Sequence, residues 1–144
     1  MSAAFDMIDH STLINQISFT FGIKDTALQW LMSYFDKCSS FVTYVSGRSA
    51  ATCFKIGVPQ GSSLEPLLFA LYILPLANVT KAHGVNYHQY ADDMQLYLSV
   101  DKQDRPARAG VLKLCTEAIY ILLSHNSLKL NPSKLEAVQF GAAK

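Results

Sequence analysis

Apolar residues recur every three or four positions in several stretches of the chain, which is typical of helices with one buried face. In one stretch, Leu28, Leu31 and Phe35 follow this spacing. The predicted helices are 12–20, capped by Ser11; 25–35; a strongly apolar helix from Ser62 or Ser63 to Asn78; and 110–124.

Other stretches alternate apolar and polar residues, or are rich in β-branched and aromatic residues, as strands are. The predicted strands are 41–46 and 51–56, joined around Gly47-Arg48-Ser49; 85–91 and 94–100, joined by Asp92-Asp93; and a last strand, 136–140. Segments 57–61 and 101–109 are predicted loops because of their glycine, proline and polar residues. The order of these elements predicts an α+β domain in which helices back an antiparallel sheet.

The composition is that of one globular domain. The chain has 144 residues, of which half are hydrophobic and 16% are charged. It is therefore too apolar for a disordered segment and too short for two domains with full cores. The net charge of +1 gives no overall basic field that would by itself indicate nucleic acid or an anionic membrane.

The sequence shows no pattern of secretion or membrane insertion. Its N-terminus lacks the basic patch and the continuous apolar run of a signal peptide. The longest apolar stretch, 67–79, is interrupted by Pro75 and is too short to span a bilayer. The three cysteines, Cys38, Cys53 and Cys115, form no CxxC pair, which argues against a disulfide framework or a zinc knuckle. We expect an intracellular protein, nuclear or cytoplasmic, that is neither secreted nor embedded in a membrane.

Two neighbouring carboxylates, Asp92 and Asp93, follow Tyr90 and Ala91 at the predicted tip of the second hairpin. Adjacent carboxylates repel each other, and a divalent cation offsets that repulsion. Their hard oxygen atoms favour magnesium or manganese over zinc. Strand alternation indicates that one of the pair points more directly at such an ion. The alternative is an ordinary Asp-Asp turn, since aspartate is a common turn residue.

A glycine-containing loop, Gly57-Val58-Pro59-Gln60-Gly61-Ser62, precedes the most apolar predicted helix. Glycine allows the backbone to approach a ligand closely, and the N–H groups at a helix N-terminus attract phosphate. The same residues are also compatible with an ordinary loop and helix cap.

Taken together, these motifs resemble the reverse transcriptase of non-LTR (LINE-type) retrotransposons. The segment GVPQGSSLEPLLF is similar to the second palm motif of that family, and YADD is similar to its third. SAAFDMIDHSTL resembles the end of the first palm motif, and LKLNPSKLEAVQFG resembles the fourth, lysine-bearing motif. The resemblance covers essentially the whole chain. It implies that residues 1–144 are a reverse-transcriptase palm with a catalytic YADD hairpin, truncated at both ends, and that fingers and thumb lie outside it.

The resemblance implies a nucleotidyl transfer that uses two magnesium ions, or manganese, in the intact parent polymerase. Asp92 would be the main metal carboxylate, with Asp93 beside it, and both would be catalytic. Lys134 matches the family lysine that helps to neutralise or protonate the departing pyrophosphate. A solvated surface lysine is the alternative for Lys134.

Substrate-binding residues follow from the same resemblance. Phe5 corresponds to the family's aromatic residue against the sugar of the incoming nucleotide. Gln60 and Gly61 would contact the template and the nascent pair, and Tyr90 and Ala91 would shape the hairpin under the primer end. The implied partners are an RNA template, a DNA primer and a deoxynucleoside triphosphate.

The chain departs from the family pattern at several positions. The catalytic aspartate of the first motif would lie just before Met1, whereas Asp6 matches a later aspartate of that motif that is not the metal ligand. Glu65 stands at a family glycine, and Cys38 and Ser40 stand at a family arginine and glutamine. We therefore expect this 144-residue polypeptide alone not to polymerise.

Other interpretations stay open at the level of the sequence. The chain could be a catalytically inactive relic, or a residual module that binds nucleic acid or another partner. It could also be a small unrelated α+β domain whose Asp-Asp turn is structural, in which case no aspartate cluster should face a groove. Salt-dependent binding to a primer–template duplex would favour the binding module.

Overall fold

The computed structural model describes residues 4–36, 38–59, 61–101 and 103–141. Within these ranges the chain forms five α-helices, six short strands and two 3-10 turns. The helices are α1 (His10–Phe19), α2 (Asp25–Phe35), α3 (Glu65–Ile73), α4 (Leu76–Ala82) and α5 (Arg105–His125). The strands are β1 (Ser39–Ser40), β2 (Thr43–Tyr44), β3 (Gly47–Arg48), β4 (Thr52–Cys53), β5 (Asn86–Tyr90) and β6 (Asp93–Tyr97). The 3-10 turns are Phe5–Met7 and Pro132–Lys134.

Helix α1 begins earlier than predicted because Asp9, not Ser11, caps it. The Asp9 carboxylate accepts the backbone N–H of Thr12 at 2.7 Å and also the hydroxyl of Ser11. Aspartate is among the strongest N-cap residues because its oxygen satisfies a backbone donor of the first turn. Burial raises the pKa of Asp9, but these hydrogen bonds outweigh burial and hold the pKa below its usual value. The cap is therefore a charged one.

The predicted helix from Ser62 or Ser63 to Asn78 is wrong in its extent, because the structure has two helices there. Helix α3 ends at Ile73, and α4 begins directly after Pro75. Proline has no backbone N–H, and its ring clashes with the preceding turn, so it is favoured where a helix starts rather than inside one. The break lets α3 pack against α1 while α4 packs against α5.

The remaining helices differ in how well the sequence predicts them. Helix α2 has the predicted bounds, because its apolar spacing and its breakers agree. Helix α5 begins at Arg105, with Pro106 in its first turn, and continues to His125. The expected polar loop over 101–109 is therefore wrong in its second half. A proline in the first turn lacks only an N–H that would have no helical partner there.

The first predicted hairpin is also different from expectation. Strands β1 and β4 pair as one two-stranded sheet, and β2 and β3 pair as another inside it. We call this element the nested hairpin (residues 39–53). Between the two pairs, the backbone N–H of Val42 donates to the hydroxyl of Ser49 at 2.9 Å. A side-chain acceptor in place of a ladder carbonyl interrupts regular pairing, so the strands stay short.

Strands β5 and β6 form the second hairpin, which we call the YADD hairpin. Tyr90 pairs with Asp93, so the two-residue connection is Ala91-Asp92. The predicted connection by Asp92-Asp93 is wrong, because Asp93 is the first residue of β6 and belongs to the ladder. The predicted last strand over 136–140 is also wrong, since these residues form no strand and are exposed.

The core lies among α1, α3, α4 and α5, with the YADD hairpin along one side. Met94, Leu96 and Leu98 pack against it from the hairpin and the residues that follow it. The most deeply buried side chains are Ile8, Leu13, Ile17, Leu68, Phe69, Tyr72, Leu76, Thr80, Cys115, Leu123 and Leu128. Helices and small antiparallel sheets are thus both present, as an α+β class requires. The expected single sheet is replaced by three two-stranded sheets in the described residues.

No helix within the described ranges is long and apolar enough to cross a membrane.

Candidate functional site

The tip of the YADD hairpin is a tight two-residue turn. Ala91 has a φ of 50°, in the left-handed region that a side chain makes costly. The side-chain amide of Gln89 donates to the Ala91 carbonyl at 3.0 Å, which helps to hold the turn. Asp92 occupies the second turn position and is half-buried, whereas Asp93 is exposed. The two carboxylates therefore differ in environment.

The two faces of this hairpin differ in burial. Residues that stand directly opposite each other on antiparallel strands share a face. The half-buried face carries the pairs Tyr87–Leu96 and Gln89–Met94. The exposed face carries the pairs Asn86–Tyr97, His88–Gln95 and Tyr90–Asp93. One face thus anchors the hairpin on the core, and the other presents aromatic, amide and carboxylate groups to solvent.

The aspartate pair offers hard oxygen ligands, which suit magnesium or manganese. Magnesium is commonly held by one or two carboxylates, with water and substrate phosphates completing its coordination. Asp92 and Asp93 fit that requirement, because they are adjacent in the chain and lie at an accessible tip. Among the described residues, no group of three or more His, Cys, Asp or Glu side chains is placed to share a metal ion.

The glycine loop is fastened to the start of the chain. The N–H of Gly57 donates to the carbonyl of Ile8 at 2.7 Å, and the N–H of Val58 donates to the carbonyl of Phe5 at 3.2 Å. Gly57 has a φ of 85°, and a Cβ on it would lie 3.0 Å from the Asp6 carbonyl oxygen. Both the backbone conformation and the close approach require glycine here.

Glu65 closes the other end of this loop. Its carboxylate accepts the N–H of Gly61 at 2.7 Å, and Gly61 has a φ of 78° with no atom near its missing Cβ. Glu65 lies in the first turn of α3, where the helix dipole favours a negative charge. Glu65, which stands at a family glycine, thus satisfies the Gly61 N–H of the loop with its carboxylate.

The other predicted site residues are distributed over the molecule. Gln60 lies outside the described residues. Phe5 is half-buried, and its ring packs against Phe69 of α3 with 4.5 Å between the centroids. Lys134 is exposed in the 3-10 turn Pro132–Lys134, and the whole of α5 separates it in sequence from the aspartates. Tyr90, with 81% of its surface exposed, lies beside them. The structure thus brings Tyr90, Ala91, Asp92 and Asp93 together, and their proposed roles stay predictions.

Two open clefts on the described surface lie away from the hairpin tip. The larger, of about 510 Å³, lies between the glycine loop and β1, and Asp6, Cys38 and Phe54 are among the residues that line it. The smaller, of about 280 Å³, lies at the end of α5 beside Lys129. Asp92 and Asp93 line neither of these two clefts.

Two buried side chains with polar groups, His10 and Tyr72, hold the site region together although no sequence motif marks them. The Tyr72 hydroxyl donates to the Asn126 carbonyl at 2.7 Å and accepts the N–H of Asp9 at 3.3 Å. Burial raises the pKa of Tyr72, which keeps it a protonated donor. It joins α3 to the start of α1 and to the end of α5. His10 contacts the glycine loop. Neither contact has a local sequence pattern, because the partners are far apart in the chain.

Comparison with known proteins identifies the family. The family model described as "Reverse transcriptase (RNA-dependent DNA polymerase)" matches residues 1–141. The chain is also 30% identical over 139 residues to the "Probable RNA-directed DNA polymerase from transposon BS" of Drosophila melanogaster. That alignment covers 93% of this chain but 15% of the relative, so the chain corresponds to a small part of the relative's length. An unrelated α+β domain is therefore excluded, and the chain belongs to the reverse transcriptase family.

Proposed function

We propose that this chain is the palm segment of a non-LTR retrotransposon reverse transcriptase, from the end of its first motif to its fourth. Its substrates in the parent polymerase are an RNA template, a DNA primer and deoxynucleoside triphosphates. The observation that carries the proposal is the YADD hairpin. In a chain of this family, two adjacent carboxylates lie at the accessible tip of a hairpin whose opposite face is anchored on the core.

The proposed division of roles follows the resemblance of these residues to the family's motifs. Asp92 and Asp93 hold divalent magnesium, or manganese, through their carboxylate oxygens. When bound, such ions supply charge neutralisation and activation for in-line displacement at a phosphate. Tyr90 and Ala91 fix the shape of the tip under the primer end. Lys134 carries the positive charge that meets the departing pyrophosphate.

The glycine loop and Phe5 form the proposed nucleotide side of the site. Phe5 is held by Phe69, and the carbonyl of Phe5 accepts a loop N–H. The aromatic residue and the loop therefore have a fixed relation to each other. Gln60 and Gly61 are proposed to contact the template and the nascent pair, and Phe5 the sugar of the incoming nucleotide.

A primer-extension assay tests the activity of this polypeptide alone. We expect no incorporation with either Mg²⁺ or Mn²⁺, because its described residues supply a pair of carboxylates and not a third. Nucleotidyl transfer depends on position and charge at the metal site, so an incomplete ligand set is severely damaging. Incorporation that is lost in Asp92→Asn would contradict this expectation and would show that the chain completes its own site.

Metal-dependent binding tests the proposed site independently of polymerisation. Anisotropy of a fluorescein-labelled RNA–DNA primer–template should show binding that weakens as salt rises, since phosphate contacts release counterions. Mg²⁺ should strengthen this binding, and Asp92→Asn/Asp93→Asn should remove the Mg²⁺ effect. Mn²⁺ titration followed by electron paramagnetic resonance should show affinity reduced about tenfold or more in the same variant.

The matched control is Asp101→Asn/Asp104→Asn, which removes the same charge from two exposed aspartates between β6 and α5. It should retain the Mg²⁺ effect. Binding that depends on salt but not on Mg²⁺, and that both double variants strengthen equally, would instead indicate a nucleic-acid-binding module without a metal site.

A further inference from the structure

Both the N–H and the carbonyl oxygen of Gly57 form hydrogen bonds. Its N–H donates to Ile8, as described above, and its carbonyl oxygen lies 2.7 Å from Nε2 of His10. A carbonyl oxygen only accepts, so the His10 ring carries a proton on Nε2 and donates it. The first residue of the glycine loop is thus fixed by a side chain 47 positions earlier in the sequence.

His10 is held rigidly in this orientation. It retains 9% of its exposure, and its ring packs against Phe35 with 4.4 Å between centroids and meets Phe54 edge-on at 6.5 Å. Its backbone N–H donates to the Lys55 carbonyl at 3.2 Å. A buried donor that loses its acceptor carries a desolvation penalty, so ring and carbonyl stabilise each other's position.

The glycine loop is therefore held near both ends by hydrogen bonds to side chains of two different helices, α1 and α3. His10 binds the carbonyl of Gly57, and Glu65 binds the N–H of Gly61. The His10 hydrogen bond is specific to the segment that is proposed to contact template and nascent pair.

We propose that His10 is a positioning residue, whose Nε2–H sets the conformation in which the glycine loop contacts a primer–template. The nucleic-acid contact in this inference rests on the proposed function. The effect of His10 on the loop conformation rests on the hydrogen bond to Gly57 alone. His10 acts through Gly57, whose N–H donates to the Ile8 carbonyl directly after the Phe5–Met7 turn.

Three variants of the full chain separate donation from packing. His10→Phe keeps an aromatic ring between Phe35 and Phe54 but removes the donor. His10→Gln keeps an N–H donor and should rescue part of the effect. His83→Phe is the matched control, because His83 Nδ1 lies 2.9 Å from the Val79 carbonyl within its own helix end. It removes a histidine contact with a backbone carbonyl away from the loop.

Nuclear magnetic resonance measures the His10 tautomer and amide exchange in the glycine loop. A role of His10 in packing alone would predict no specific change in either. Long-range ¹H–¹⁵N correlation of the neutral His10 ring should show the Nε2–H tautomer. Amide exchange at Gly57 and Val58 should accelerate about tenfold or more in His10→Phe, as expected for one lost buried hydrogen bond. Amides of α5, such as Ile119 and Leu123, should keep their rates. His10→Gln should lie between, and His83→Phe should match the unsubstituted chain.

Binding of the fluorescein-labelled RNA–DNA primer–template completes the test. His10→Phe should weaken it about tenfold and His10→Gln about threefold, in proportion to the loop exchange. A neutral His10 ring protonated on Nδ1 and not on Nε2 would overturn the proposal. Unchanged amide exchange at Gly57 in His10→Phe, or equal acceleration of amide exchange in the loop and in α5, would also overturn it. Accelerated loop exchange with unchanged binding would overturn the positioning role. Absence of binding by the unsubstituted chain would refute the proposed function, while loop exchange would still decide whether His10 fixes Gly57.

Discussion

The two hairpins of this chain have similar local sequence character but different structural support. The YADD hairpin has two five-residue strands, and one of its faces packs against the core through Met94 and Leu96. The nested hairpin has two-residue strands, and every residue from 39 to 53 is exposed. Arg48 lies over the Phe41 ring at 3.8 Å from its centroid, an exposed contact of modest worth. Strand length here follows from burial of one face, since an isolated two-stranded hairpin is marginally stable in water.

The difference has a functional counterpart. A proposed metal site needs carboxylates held in one geometry, and a hairpin anchored on a core supplies that rigidity. The nested hairpin lines the larger cleft with its first strand but has few buried contacts of its own. We expect it to open locally at lower free energy than the YADD hairpin.

The largest expected effect comes from placing a charge on each hairpin. Leu96→Asp puts a carboxylate into the apolar contact between β6 and the core and should reduce the free energy of unfolding by about 2–4 kcal/mol. The matched change Val45→Asp, at the exposed turn of the nested hairpin, should alter it by about 0.5 kcal/mol or less. Urea unfolding followed by circular dichroism measures both. Equal losses would show that the nested hairpin is also packed.

An intermediate effect is expected at the two turns. Ala91→Gly removes a side chain from a residue with a φ of 50° and should stabilise the chain by about 0.5–1 kcal/mol. Ser46→Gly, in the turn between β2 and β3, changes a residue outside the left-handed region and should be neutral or slightly destabilising. Thermal unfolding distinguishes the two signs. Destabilisation by Ala91→Gly would contradict the strained turn.

The smallest effect concerns the junction where the nested hairpin meets the core. Asp9 pairs with Ile56 across an isolated bridge and caps α1. Its pKa is lowered in the folded state, so its contribution is present above the unfolded value near 3.8 and is lost as pH falls through the folded value. We expect about 0.5 kcal/mol or less, because the group is partly exposed.

Asp9→Asn provides the control for that acid loss. Asparagine is an equally good cap and does not titrate, so stability near neutral pH should change little. The decline in unfolding free energy between about pH 4 and 2 should be smaller in the variant. An unchanged acid profile would show that other carboxylates account for it.

The sequence pattern predicts an element best where interactions between residues close in the chain decide its bounds. Helix α2 has its predicted bounds because apolar spacing, an acidic start and a break after Phe35 all agree. The YADD hairpin was located within a few residues, because two alternating runs flank a short connection. The turn lies one residue earlier than predicted, so Asp92 stays in the turn and Asp93 joins the ladder. Register depends on cross-strand pairing and on burial of one face. The local sequence pattern is compatible with either register, so it does not fix the turn to the residue.

Long-range contacts account for most of the errors. The nested hairpin was predicted as two long strands, but no partner buries either face. Residues 136–140 alternate as a strand does, but they pair with none of the strands in the described residues. Pro75 was visible in the sequence, yet the choice between a kink and two helices was decided by packing of α3 on α1 and of α4 on α5.

The amino-acid sequence by itself determined the family, the bounds of α2 and the positions of the glycine loop and the aspartate pair. These depend on residue type and short spacing, which the chain carries locally. Only the tertiary structure decided that Asp93 belongs to the ladder, that Glu65 occupies the Gly61 amide and that His10 fixes Gly57. The last contact joins residues 47 positions apart, and a hydrogen bond across such a distance exists only once helices have packed and closed the intervening chain.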